Sequence, residues 1–220
     1  MLVIPEIKII EIIDVILAVV ADDYNSTTDK NRTLLYQLFG DTQIGKYNFY
    51  KEAVDIFTRG TEHQRRIQTR MMFDAQRAHL PTIHITMPSE QPNGDGIGFD
   101  QGYIEDTIDN ENRTVTPMFT RMFDTNYHAV ITSDNALEVI CIYHVIKGLL
   151  ISTFSNIEFN GIRNPKFSGQ DLQIQMDNMP PHIFVRGLGI SCSYETTVPS
   201  FDKEKFINKF KTIFTIIPGD

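Results

Sequence analysis

Cysteine is scarce in this chain: two residues in 220, Cys141 and Cys192. A disulfide scaffold needs more than that. Both are expected as reduced, mostly buried thiols, Cys141 in an apolar helical run and Cys192 in a strand-like one. Positive charge is also short, with 20 Lys and Arg against 28 Asp and Glu and a net charge of −8. A broad phosphate-binding surface needs clustered Lys and Arg, so that class is disfavoured. A local basic patch, or a channel whose wall repels DNA so that it slides through, is not. No stretch offers about 18 uncharged apolar residues, so no membrane-spanning helix is expected. The opening MLVIPEIKIIEIIDVILAVVADD places Glu6, Lys8, Glu11 and Asp14 among its apolar residues. It lacks the basic start, clean apolar stretch and cleavage site of a signal peptide. Without a secretion signal, the Asn-x-Ser/Thr triplets at Asn25, Asn31 and Asn112 are expected to be chance matches.

Catalytic signatures are missing too. There is no GxSxG and neither cysteine has a nucleophile's context. Gly187-Leu188-Gly189 is too short for a phosphate fingerprint, and there is no P-loop. The six histidines include no HExxH pair and none beside a CxxC, which leaves zinc unsupported. His84 and His128 fall in two expected strands and would approach each other if those strands were neighbours. His144 is expected as a core histidine. Asn93-Gly94-Asp95-Gly96 with Asp100 has some features of a calcium loop, but its twelfth position is Ile104 rather than a bidentate Glu. No catalytic, cofactor-binding or metal-binding residue is assigned, and no enzyme activity is expected.

What is present is an ordinary globular composition, 41% hydrophobic and 22% charged, in a chain long enough for one sizeable core. Ile7 to Tyr24 reads as an amphipathic helix, with Ile9, Ile10, Ile12, Ile13, Ile16, Leu17, Val19 and Val20 in a wide apolar stripe and Glu11, Asp14 and Asp22 off it. Tyr36 to Tyr50 is broken by Gly40 and Gly45 and reads as loop with short elements, followed by a helical turn or two at Lys51–Phe57. Alternation predicts strands at Ile67–Phe73, Pro81–Met87, Tyr127–Thr132, Gln170–Met176 and His182–Tyr194. The strongest local signal is Ser133-Asp134-Asn135 ahead of ALEVICIYHVIKGLLISTF. Asn135 has the chemistry of an N-cap, and Glu138 lies at capping-box spacing. That helix, about 135–154, is apolar on most sides and must be buried, under the protein's own second layer or a neighbouring copy. The expected architecture is α+β: one domain over 1–220 with a mostly antiparallel sheet, packed by the long helix and the N-terminal amphipathic helix. A C-terminal amphipathic segment, 202–214, carries Phe206, Phe210 and Phe214 at spacings of four and has the pattern of a docking face.

Two stretches stand out by charge. Residues 89–117 form an acidic, glycine-containing excursion, and a loop that long is usually functional or disordered. Arg59, Arg65, Arg66 and Arg70 belong to the one basic cluster. It reads as a solvated face or an inter-subunit salt-bridge surface, able to pair with the acidic stretch of an adjacent copy, with nucleic-acid contact as the alternative. The candidate subunit-contact or lumen residues are therefore Arg59, Arg65, Arg66, Arg70, Asp95, Asp100, Glu105, Asp106 and Asp109.

PTIHITMPSE, YHAVITSDNALEVICIYHVIKGLL, FSGQDLQIQM, PPHIFVRGLGISCSY and VPS follow one another over about residues 80–200. In order and spacing they resemble the neck and tail-terminator proteins of tailed bacteriophages. In those proteins a strand runs into a long helix with a Ser/Asp/Asn cap, and an antiparallel strand pair follows. The resemblance implies a structural virion subunit that assembles in the host cytoplasm into a ring, commonly of six copies. Such a ring sits in the neck or at the head-proximal end of the tail, stops tube polymerisation and joins the tail to the head connector. Its partners are other neck, tail-tube and sheath proteins, and DNA passes through it without specific binding. It implies no cofactor, no membrane partner and no catalytic residue. The N-terminal helix and the acidic excursion depart from compact members of that group. The alternatives are another tail- or baseplate-associated protein and a small-ligand-binding or hydrolytic domain.

Overall fold

The computed structural model describes residues 4–71, 79–93, 102–109, 114–153, 161–171 and 183–199. The fold is α+β. The described residues fall into two compact units, one within 4–91 and 124–194, the other within 92–123 and 195–199.

In the larger unit, α1 (Pro5–Ser26) begins with Pro5, which suits the first helical turn because its missing N–H would have no intrahelical partner. Its inward face buries Ile9, Ile13, Ile16 and Val20. The Asp23 carboxylate accepts from the Leu34 N–H at 2.7 Å, joining α1 to α2 (Leu34–Phe39), which is capped by Thr33. A small hairpin, β1 (Gln43–Ile44) and β2 (Tyr47–Asn48), turns at Gly45, where φ is 62°. Asn48 then caps α3 (Phe49–Phe57) by accepting from Lys51 N–H at 2.9 Å. Residues 36–50, expected as loop with short elements, hold the end of α2 and this hairpin. The Thr33 and Asn48 caps and the stacking of Phe39 on Phe49 at 6.3 Å hold them in place.

The strand order is β3, β4, β6, β8, β7, with β3 at Gln68–Met71, β4 at Thr82–Pro92, β6 at Thr114–Ser133, β7 at Ile162–Asp171 and β8 at Phe184–Pro199. β3 runs parallel to β4, and β7 antiparallel to β8. Side-chain bonds from Thr132 to Thr82 O, Thr86 to His128 O and Thr125 to Ser89 O fix β4 and β6 antiparallel. Residues 89–92, expected as loop, continue β4. β7 includes Gln170 and Asp171 of the strand expected at Gln170–Met176, and residues 172–176 fall outside the described residues. β7 was hard to see because Asn164-Pro165 interrupts it. These two residues stand opposite Cys192 as a bulge, with Asn164 at φ 49°.

Helix α4 (Ala136–Ser152) is buried over more than half its circumference, by Val139, Ile142, Val145, Ile146, Leu149 and Leu150 among others. α1, α2 and α3 pack on it. Its apolar residues merge in one core with Ile83, Ile85, Tyr127, Ala129, Ile131, Leu188 and Ile190 of the sheet. The cover expected from either this chain or a neighbour comes from this chain. At the far edge of the sheet, Tyr143 lies against Gly169 so closely that a Cβ there would fall 1.7 Å from the Tyr143 hydroxyl.

In the smaller unit, β5 (Gly102–Asp109) pairs antiparallel with residues 114–120 of β6. The acidic excursion is therefore partly strand. Between Ile104 and Thr107 the register shifts, so Glu105 and Asp106 stand opposite Pro117. A proline cannot donate to the ladder, and a bulge is where a sheet accommodates it.

Candidate assembly surfaces

Glu138 is the one acid buried among the described residues, at 1% exposure. Its spacing predicted a capping box, and half of that is present: Asn135 Oδ1 accepts from the Leu137 N–H at 3.0 Å. The Asn135 N–H, however, is taken by Ser133 Oγ at 3.1 Å. Glu138 is drawn instead to two guanidinium groups, Arg59 Nη1 at 2.5 Å and Arg65 Nη2 at 2.6 Å, and it also accepts from Ser133 Oγ. A buried carboxylate is costly unless charged donors surround it, and the arginines satisfy it more strongly than a backbone N–H would.

Arg59 additionally binds Asp55 at 2.9 Å and the Arg65 carbonyl at 2.8 Å. Arg65 forms a fork with Asp134, at 3.1 and 2.6 Å. The hydrogen bond from Arg65 holds the Asp134 carboxyl below its ordinary range, and the same bond raises the guanidinium. Arg59 and Arg65 were expected on a solvated or inter-subunit surface. They tie the 58–67 loop to the start of α4 within one chain.

Arg66 is exposed and lines a cleft of about 550 Å³ between α1 and β3. Arg70, half-buried, donates to Gln68 Oε1 at 2.9 Å. Glu105, Asp106 and Asp109 lie on β5, whereas Asp95 and Asp100 lie outside the described residues. The structure thus gathers Arg59 and Arg65 in one cluster and leaves Arg66 beside it.

Sequence reasoning missed two surfaces. The first is the outer face of α1, which exposes Ile7, Val15 and Val19 beside Glu11, Asp14 and Asp22. Val19 was expected on the buried stripe. The mixed apolar and acidic residues at one helical period were the available signal. The second is an apolar groove of about 570 Å³ bordered by Leu38, Ile44, Ile140, Lys147 and Ile151. His144, expected in the core, stands exposed on this side of α4. Partial covering of its ring, and then the Arg186 and Lys147 charges, hold it below the ordinary histidine value. Exposed apolar patches with polar borders mark contact surfaces.

β4 and β6 are neighbours, but their register sets His84 two residues from the position opposite His128. Among the described residues no three metal-ligating side chains converge. No helix among them is long and apolar enough to cross a membrane. Comparison with known proteins returned no matching family model and no matching curated protein.

Proposed function

We propose that this chain is a structural virion protein that closes into a ring, of six copies, in the neck or at the head-proximal end of a phage tail. There it ends the tail tube and joins it to the head connector, with a passage for DNA. The observation that carries the reading is the order of elements. β6 runs into α4 through the Ser133-Asp134-Asn135 cap, and the antiparallel pair β7 and β8 follows. That is the order of the resembling phage proteins. A ring also needs two different patches on each subunit, because its copies meet head to tail and close when the rotation fits. The outer face of α1, with Glu11, Asp14 and Asp22, and the apolar groove beside α4 differ in chemistry and lie on different elements. The net charge of −8 suits a wall along which phosphate must slide, with Glu105, Asp106 and Asp109 as candidate lumen residues. In this reading the chain performs no chemistry. Negative-stain imaging of the purified full chain tests it. Closed rings with a central opening are expected, and a field of single small particles at micromolar concentration contradicts it.

A further inference from the structure

We propose that the outer face of α1 and the cleft beside it receive the Phe- and Lys-rich C-terminal segment, residues 202–214, of a second copy of this chain. The inference rests on the assembly reading and names one contact within it. α1 is apolar on both sides. Ile9, Ile13, Ile16 and Val20 face the core, while Val15 and Val19 on the opposite side are 60% and 47% exposed. Glu11, Asp14 and Asp22 stand around these two valines, and Lys8 on the same face is paired with Glu11 at 2.7 Å. The face is therefore net acidic through Asp14 and Asp22 and calls for an occupant that is apolar in the middle and basic at its borders.

Segment 202–214 has that pattern in its sequence. On a helical period Phe206, Phe210, Ile213 and Phe214 share one arc, and Lys209 and Lys211 fall on its two sides. It holds four lysines, at 203, 205, 209 and 211, against Asp202 and Glu204, a net +2 in a chain of net −8. A basic segment from an acidic protein is steered to the acidic face of another copy, and like-charged patches are disfavoured as partners. The cleft adds a place for an aromatic anchor. Its lining includes Leu17, Ile56, Phe57 and Ile67, with Asp14 on the α1 side and the basic Arg59, His63 and Arg66 on the other. The cleft thus takes an apolar ring while the lysines stay on the α1 side, and buried aromatic anchors in pockets dominate interface energies. The acids along α1 also oppose an anionic membrane surface. Because the donor segment and the acceptor face are different parts of one chain, the contact is heterologous and can propagate around a ring.

Cysteine cross-linking between full chains tests this. A tagged Val15→Cys chain is mixed with an untagged Phe210→Cys chain under mild oxidation. The native Cys141 and Cys192 are buried and stay silent. The expected product is a tagged–untagged disulfide dimer, in excess over a control pairing Phe210→Cys with Thr28→Cys, an exposed position beyond α1. Adding Asp14→Lys with Asp22→Lys reduces the yield roughly tenfold or more, and Lys209→Glu with Lys211→Glu in the other chain restores it. No excess over the control overturns the proposal, as does a cross-link that forms only within a chain carrying both cysteines. If native mass then still shows an oligomer, the contact is wrong and the ring reading stands. If it shows a monomer, both fall.

Discussion

Glu138→Gln tests the energetic centre of the fold. The substitution keeps the shape of the side chain and removes its charge. In the native protein the carboxylate is 1% exposed and faces Arg59 at 2.5 Å and Arg65 at 2.6 Å. The Arg59 side chain is itself only 10% exposed, and its other carboxylate, Asp55, is 70% exposed. Neutralising Glu138 therefore leaves a mostly buried guanidinium without its buried counter-ion. Breaking one side of such a pair costs about 3–5 kcal/mol, a large fraction of the roughly 5–15 kcal/mol that holds a typical domain folded. Arg65→Ala should cost less, on the order of 1 kcal/mol, because that side chain is 37% exposed and water replaces part of the lost interaction. The double variant Arg59→Met with Glu138→Leu should recover most of the loss, since apolar residues of similar volume often match a buried ion pair. Urea unfolding followed by circular dichroism gives each free energy and its m-value. The loss in Glu138→Gln should persist in high salt, where exposed pairs are screened and buried ones are not. A Glu138→Gln protein within about 0.5 kcal/mol of the parent would refute the reasoning. So would a double variant less stable than the single one.

Three further outcomes follow from the same structure. Gly169→Ala places a methyl 1.7 Å from the Tyr143 hydroxyl and should cost about 1–3 kcal/mol by overpacking. Gly60→Ala meets nothing within 4 Å, and equal urea midpoints for the two would contradict the packing. Cys141 and Cys192 have thiols pushed up to about 12 by burial. Neither should react with an aromatic disulfide reagent at neutral pH until the chain unfolds, and fast labelling of the native protein would contradict their burial. The lowered Asp134 carboxyl gives a folded-state pKa below the unfolded one. Its contribution is complete above the ordinary aspartate value of about 3.9 and is lost as pH falls through the folded value. Asp134→Asn should flatten that part of an acid-unfolding curve, and an unchanged curve would count against the Arg65 bond.

Legibility in the sequence followed the scale of each signal. The α1 stripe and the Asn135 cap rest on residues within one or two turns, and both elements stand where their patterns place them. Glu138 shows where local reasoning stops. Its spacing fits a capping box, but partners 79 and 73 residues away in sequence hold it, and no local pattern encodes them. Arg59 and Arg65 were read as surface charge for the same reason. β7 was obscured by Asn164-Pro165, which reads as a turn until the bulge against β8 absorbs it. β6 is 20 residues long, yet only its end, Tyr127–Thr132, alternates cleanly. Among the candidate contact residues, the sequence marked the arginine stretch. It did not mark the outer face of α1, whose apolar residues could be separated from the core only by knowing which side packs on α4.

The central claim is that this chain works by assembling into a ring, and the mass of the native particle tests it most directly. Native mass spectrometry of the full chain at micromolar concentration should give a single closed species at an integer multiple of the chain mass, six by this account. A monomer across that range would contradict it.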